Sequence, residues 1–189
     1  GKEQCFKFEN RASASFLHSV DIASVDGSTQ AMLSKVNTTL INDKASFAFS
    51  RKELRMEAFG SLTLRHTVSA LDMFESINAA DFSYGMNARY TIPLLKLTAQ
   101  TDITMYSRRG YSEPTMNTNE LVWNASLAKR LMHGKLTLMF DGFDLLGNLS
   151  NVRRYVNAQG RTETFYNVIP SYGILHAIYR INVQPKKKK

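Results

Sequence analysis

The sequence lacks most of the features that would assign it quickly to a familiar class. It has a single cysteine, Cys5, so no internal disulfide can form. No apolar run reaches the roughly 18 residues of a membrane-crossing helix, which excludes that kind of anchor. No signal peptide is visible; the start Gly1-Lys2-Glu3 reads as a mature product or an excised segment, with Gly1 as a cloning remnant. The charge excess is small. Lys and Arg number 24 against 16 Asp and Glu, a formal +8, and four of the cations form the run Lys186 to Lys189. The remainder is thin and scattered, which argues against nucleic acid as a partner.

Chemistry-bearing constellations are equally scarce. His18, His66, His133 and His176 lie far apart, none with an acidic or histidine neighbour at ligand spacing, so no metal site is expected. Asp141-Gly142-Phe143-Asp144 lacks the alternating acids of a calcium loop and reads as a strand end followed by a turn. No strained serine elbow and no paired carboxylates stand out, so the expectation is a non-enzymatic protein without a cofactor. Helical periodicity is missing throughout. A chain of 189 residues suits one domain, or one part of something larger.

What is present is alternation with a period of two. Residues 95–107 carry Leu95, Leu97, Ala99, Thr101, Ile103 and Met105 on one side, and Lys96, Thr98, Gln100, Asp102, Thr104 and Tyr106 on the other. Successive strand side chains point to opposite faces, so this segment has an apolar wall and a polar wall. The pattern recurs at about 12–24, 40–50, 53–68, 81–92, 119–131, 135–144 and 171–183, giving eight expected long strands and an all-β fold. Residues 185–189 are a basic tail, because Pro185 cannot donate to a ladder and stops the last strand.

The connections sort by length. Arg51-Lys52, Pro93-Leu94 and Met132-His133-Gly134 are tight, whereas the loop near Asp26-Gly27-Ser28 and those at 69–79, 108–118 and 145–170 are long. In an antiparallel up-and-down meander, alternate connections lie at the same end, so short turns gather at one rim and long loops at the other. Outer-membrane barrels have this asymmetry, with tilted strands of about ten residues. Mid-strand positions on the apolar faces carry no charge; Asp43, Lys129 and Asp144 fall near expected strand ends. Tyr90, Tyr106, Trp123, Phe143 and Tyr172 are expected as girdle aromatics at the headgroup level. Alternation alone does not say which wall faces inward, and a soluble small-ligand-binding barrel also alternates. Strand length and loop sorting favour a transmembrane barrel, with Arg55, Glu57, Arg65, Arg89, Lys96, Gln100 and Asp102 facing water.

Three stretches in the second half carry a resemblance: residues 101–127 with SRRGY and MNTNELVWNA, 134–154 with Asp-x-x-Asp-Leu-Leu-Gly and SNVRR, and 157–182 ending in Tyr-Arg-Ile-Asn. In this order they resemble the C-terminal barrel region of TonB-dependent-receptor-like outer-membrane proteins of Bacteroidetes. The resemblance covers about residues 80–184. It implies the outer membrane of a Gram-negative cell and a larger barrel of which these strands are the last. It also implies nutrient uptake, with outer-membrane lipid, lipopolysaccharide, the rest of the barrel, a plug domain and a TonB-type energising protein as partners. Neither a plug nor an energiser-binding box is found here, and the end differs from the terminal aromatic common in outer-membrane proteins. A free-standing eight-stranded barrel acting as anchor or adhesin is the alternative.

Recognition would sit on the long loops, as it commonly does on rigid scaffolds. Arg108, Arg109 and Tyr111 combine two planar cations with an aromatic ring at a strand end. They could hold carboxylates, phosphates or sugars, or pair with lipopolysaccharide phosphates and neighbouring acids. Arg153, Arg154 and Tyr155 form the second candidate, in a loop long enough for a hairpin around Ala158-Gln159-Gly160.

Overall fold

The computed structural model describes residues 4–24, 31–70, 76–157, 160–167 and 169–181. Eight strands form one antiparallel sheet: β1 (Cys5–Ser24), β2 (Ala31–Arg51), β3 (Leu54–Ser69), β4 (Ile77–Ile92), β5 (Leu97–Arg109), β6 (Asn119–Leu131), β7 (Leu136–Phe143) and β10 (Tyr172–Tyr179). The order is a meander, and a separate hairpin, β8 (Val152–Asn157) with β9 (Gly160–Phe165), fills the connection between β7 and β10. The sheet is open: among the described residues β1 and β10 each have a neighbour on one side only.

The boundaries differ from the sequence expectation in instructive ways. β1 and β2 run to 20 and 21 residues, well beyond 12–24 and 40–50. Leu95 and Lys96, expected within a strand, belong instead to the turn Pro93–Lys96, where Lys96 takes φ 51° and Leu94 is 90% exposed. The other tight connections are Lys52-Glu53, with φ 51° at Lys52, and a single 3-10 turn Met132–Gly134 with three successive positive φ values.

The register joins the apolar walls of all eight strands into one face. Phe6 stands opposite Phe49, which stands opposite Met56, then Ala88, then Thr101 and Ala125 on successive strands. Phe47, Ala58, Met86, Ile103 and Trp123 form the next such row. Slipping any pairing by one residue would exchange the faces of a whole strand, so this agreement pins the register. The opposite face carries polar residues in hydrogen-bonded cross-strand pairs: Ser61 with Ser83 at 2.8 Å, Thr38 with Thr67 at 3.0 Å and Thr91 with Thr98 at 3.0 Å.

That polar face is the more enclosed one. Ser34, Val36, Thr67, Ile77, Ala79, Thr104 and Val122 are buried and all share it, whereas Leu62, Leu64, Tyr84, Met86, Leu127, Leu138 and Phe140 are exposed on the other. At Ile77 and Ala79 the cover is supplied by the loop that carries Tyr111 and Met116. Among the described residues no leucines gather in a dry centre; the buried apolar cluster found there, Ile77, Ala79, Tyr111 and Met116, lies at the long-loop end.

The short-turn rim is oblique to the strand pairing. Relative to the row of partners running from Cys5 through Ser50, Arg55, Arg89, Gln100 and Ser126, the turn at Arg51 and Leu54 lies one residue below. The turn at Ile92 and Leu97 lies three below, and that at Leu131 and Leu136 five below. One residue of stagger per strand, with a rise of about 3.3 Å and a strand spacing of about 4.8 Å, corresponds to a tilt of roughly 35°. Barrel walls tilt by about this amount.

The apolar face is apolar over a limited height. From the turns upward it runs Leu54 to Leu64 on β3, Ile92 to Ala80 on β4, Leu97 to Met105 on β5 and, with Lys129 near its lower end, Leu131 to Leu121 on β6; on β1 and β2 the same height includes the polar pair Asn10 and Asp43. Beyond these ends it turns polar: His66 bonds Asn78, Ser107 donates to Asn119 at 2.8 Å, and His18 lies 2.6 Å from Asn37. The far edge also steps down, from nine residues above the Cys5 row at Leu64 and Ala80 to five at Met105 and Leu121. Stretches of nine to thirteen residues, at that rise and tilt, stand roughly 22–32 Å tall.

Some expected positions are corrected by the register. Tyr106, Phe143 and Tyr172 lie on the polar face, Phe143 stacking on Tyr172 at 4.8 Å between centroids; of the five girdle candidates only Tyr90 and Trp123 share the apolar face. Asp43 is not near a strand end, because β2 extends past it on both sides; its carboxylate accepts from Asn10 at 2.8 Å on the apolar face. Gly85 stands opposite Phe59, whose ring tip lies where a Cβ would come within 3.0 Å, and that Cβ would also meet the Ile103 carbonyl oxygen at 2.3 Å. Gly85→Ala is therefore expected to cost about 1–2 kcal/mol through overpacking against backbone that cannot retreat, measurable as a lowered denaturation midpoint.

Candidate functional site

The candidate Arg108, Arg109 and Tyr111 sits where β5 leaves the sheet. Gly110 takes φ +80°, and a Cβ there would lie 2.1 Å from the Asn78 carbonyl oxygen, so only glycine lets the chain turn back against β4. The loop then folds on itself. Asn117 accepts from the Tyr111 amide at 3.1 Å and donates to the Tyr111 carbonyl at 2.7 Å. Pro114–Met116 form a 3-10 turn, started by Glu113 accepting from the Thr115 hydroxyl at 3.1 Å. Met116 is completely buried in the cluster with Ile77, Ala79 and Tyr111.

Arg108 is drawn into the same knot. Its Nε lies 3.2 Å from Asp81 Oδ1, its Nη2 donates to the Tyr111 hydroxyl at 3.1 Å, and its guanidinium lies 4.8 Å from the Tyr111 ring centroid. The Tyr111 hydroxyl in turn donates to the Asp81 carboxylate, with Oδ2 at 2.8 Å. Arg109 is spent on backbone: Nη1 donates to the carbonyls of Arg108 at 2.7 Å and Thr118 at 3.1 Å, and Nη2 to Asn119 Oδ1 at 2.8 Å. These donors hold the loop on the wall. Chemically the arrangement is a clamp, with both forks already engaged by protein oxygens.

Burial, followed by the hydrogen bond to Asp81, holds the Tyr111 phenol above the usual tyrosine range, against the opposing effect of Arg108. A raised folded-state pKa means that the native loop binds this proton more tightly than the unfolded chain does. Its contribution to stability is complete below the ordinary tyrosine value near 10 and is lost as pH rises through the higher folded value. The loop is expected to loosen at strongly alkaline pH, and Tyr111→Phe to remove that alkaline step; amide exchange at residues 110–118 reads both.

Arg153, Arg154 and Tyr155 lie on β8, paired with Thr164, Glu163 and Thr162 of β9; their side chains fall outside the described residues. Asp144, buried with φ 43°, organises the turn after β7: its carboxylate accepts from the amides of Asn148 at 3.1 Å and Leu149 at 2.9 Å, and its own amide donates to Asn124 at 2.9 Å. On the polar wall, His176 Nε2 lies 3.0 Å from Asp141 Oδ2. Among the described residues no three acidic, histidine or cysteine side chains converge as metal ligands.

No family model, curated protein or solved structure matches the chain. Sequence reading missed Asp81 as the centre of the clamp, because its partner Arg108 is 27 residues away and only the register brings the two together. It also missed the adjacency of Arg55 and Arg89 on the polar face.

Proposed function

We propose that this chain is the C-terminal wall of an outer-membrane barrel of the TonB-dependent receptor type, taking up a nutrient ligand. The observation that carries the membrane part is the tilted apolar band. Its height of roughly 22–32 Å, on strands inclined by roughly 35°, suits the hydrocarbon layer and the approximately 25 Å apolar belt of such barrels. Polar pairs such as His66 with Asn78 and Ser107 with Asn119 mark its upper edge, where headgroups would lie. In hydrocarbon every backbone group needs a partner, so a spanning sheet must close.

The unequal free edges, 20 residues on β1 and 8 on β10, favour a place in a larger ring over closure of these eight strands on each other. The remaining wall and plug would then come from a preceding part of the same protein, and a TonB-type partner would act through that part. The lengthwise resemblance over residues 80–184 supports the receptor family and the uptake role. Exposed Leu62, Leu138 and Phe140 disfavour a soluble barrel with its apolar side inward.

Expression without detergent tests the membrane reading. The chain is expected to fold only with detergent or lipid and to show heat-modifiable gel migration; a monodisperse monomer that melts cooperatively in plain buffer would contradict it. A reading frame encoding a plug upstream of Gly1 separates the receptor from a free-standing anchor.

A further inference from the structure

Arg55 and Arg89 stand directly opposite each other on β3 and β4, and Gln100 stands directly opposite Arg89 on β5. All three are exposed and share the polar face, just above the short-turn rim. Directly opposed residues hold their Cβ atoms about 4.5–5.5 Å apart, and like charges in that position repel. Two acids, Glu57 and Asp102, flank Asn87 in the next row of the same face, and among the described residues neither forms an ion pair with these arginines. Glu57 accepts from Asn87 at 3.3 Å and Asp102 from Asn124 at 3.2 Å, while Glu53 lies out in the turn. Among the described residues neither arginine has an ion-pair or hydrogen-bond partner. The contrast with Arg108 and Arg109 is sharp, since both of those guanidinium groups are engaged.

The row extends the same character. Ser50, Arg55, Arg89, Gln100 and Ser126 follow one another on five neighbouring strands, every one able to donate and none a carboxylate, until Asp141 on β7. Two guanidinium forks offer planar pairs of N–H groups whose spacing matches the oxygens of a carboxylate or phosphate. The sheet fixes the backbone spacing between them, so only the side chains remain to be ordered on binding. We propose that Arg55, Arg89 and Gln100 form a seat for an oxyanion, a phosphate or carboxylate group, on the polar wall. An anion between the two guanidinium groups would turn their mutual repulsion into a shared attraction. This seat rests on the register and the free arginines, and does not depend on where in the cell the protein resides.

Isothermal titration of the folded full chain with inorganic phosphate, in maltoside micelles that carry no phosphate of their own, tests the seat. Saturable binding is expected, weakened at least tenfold by Arg55→Gln and by Arg89→Gln. Arg89→Lys should give an intermediate loss, because it keeps the charge and loses the fork. Arg109→Gln should change the affinity less than twofold. The glutamine variants remove a repulsion, so the β-sheet circular dichroism signal should persist and show that they fold. Adding phosphatidylglycerol distinguishes the source: displacement of phosphate points to a lipid headgroup, and undisturbed binding to a soluble oxyanion. Absence of saturable binding, or equal affinity in the wild type and both glutamine variants, would overturn the proposal.

Discussion

Met86→Arg should lower the folding stability of the chain in lipid by about 2–4 kcal/mol, the cost of a guanidinium on the lipid face near the midplane of a barrel wall. Met86 lies in the middle of the apolar band, between Ala58 and Ile103, and is 39% exposed. Ser46→Arg, on the polar face opposite Glu9, should change stability by about 0.5 kcal/mol or less, as surface substitutions usually do. Urea titrations of both variants in lipid vesicles provide the comparison. The difference between faces is the informative quantity, because an arginine in place of an exposed methionine costs little when its surroundings are water. Equal and small effects at the two positions would place both walls in the same solvent.

The second large effect is expected at Asp81. Asp81→Ala removes the acceptor shared by Arg108 and Tyr111, leaving a half-buried guanidinium and a buried hydroxyl without their carboxylate. Hydrogen bonds to charged groups contribute about 1.5–3 kcal/mol, and stranding the partner makes the loss larger than the net value of the bond. Because solvent reaches about a third of this pair, screening brings the expectation to about 2 kcal/mol. The loss should appear as faster amide exchange over residues 110–118, with the strands largely unaffected, since the clamp fastens the loop rather than the sheet. Adding Arg108→Leu to Asp81→Ala should recover part of the stability by removing the stranded charge. A double variant no more stable than the single one would show that the Arg108 pair contributes little.

The fold was legible where the two faces of a strand differ in polarity. β3 and β4 show this best: alternation at 53–68 and 81–92 marks the apolar face that the register then joins across the sheet. The signal faded where the surroundings stop differing. Residues 33–39 of β2 put Leu33, Lys35, Asn37 and Thr39 on one face and Ser34, Val36 and Thr38 on the other, so neither face is distinctly apolar above the band. Strand continues there because β1 and β3 supply backbone partners, which composition does not reveal. The turn Pro93–Lys96 misled for the opposite reason. Leu94 and Leu95 are apolar yet leave the ladder, since a strand reversing its direction needs residues there whatever their polarity.

The sites were legible in composition and obscure in pairing. Arg108-Arg109-Gly110-Tyr111 is conspicuous in the sequence, and its glycine and aromatic ring do matter. Yet the partner that gives Arg108 its role lies on the preceding strand, and a cross-strand contact depends on register, which short-range sequence does not encode. Arg55 and Arg89 look unremarkable as isolated cations on a wet face. Only their direct opposition across two strands makes them a candidate for anion binding.

The central physical claim is that the apolar wall contacts hydrocarbon. Trp123 reports on it without any substitution, being the sole tryptophan of the chain, on the apolar face in the same row as Met86 and Ile103, and 37% exposed. Its fluorescence should be measured in vesicles with acyl chains brominated at defined depths, and separately with aqueous iodide. A lipid-facing wall predicts blue-shifted emission, strong quenching by the brominated chains and weak quenching by iodide. Strong quenching by iodide with no response to brominated lipid would contradict it.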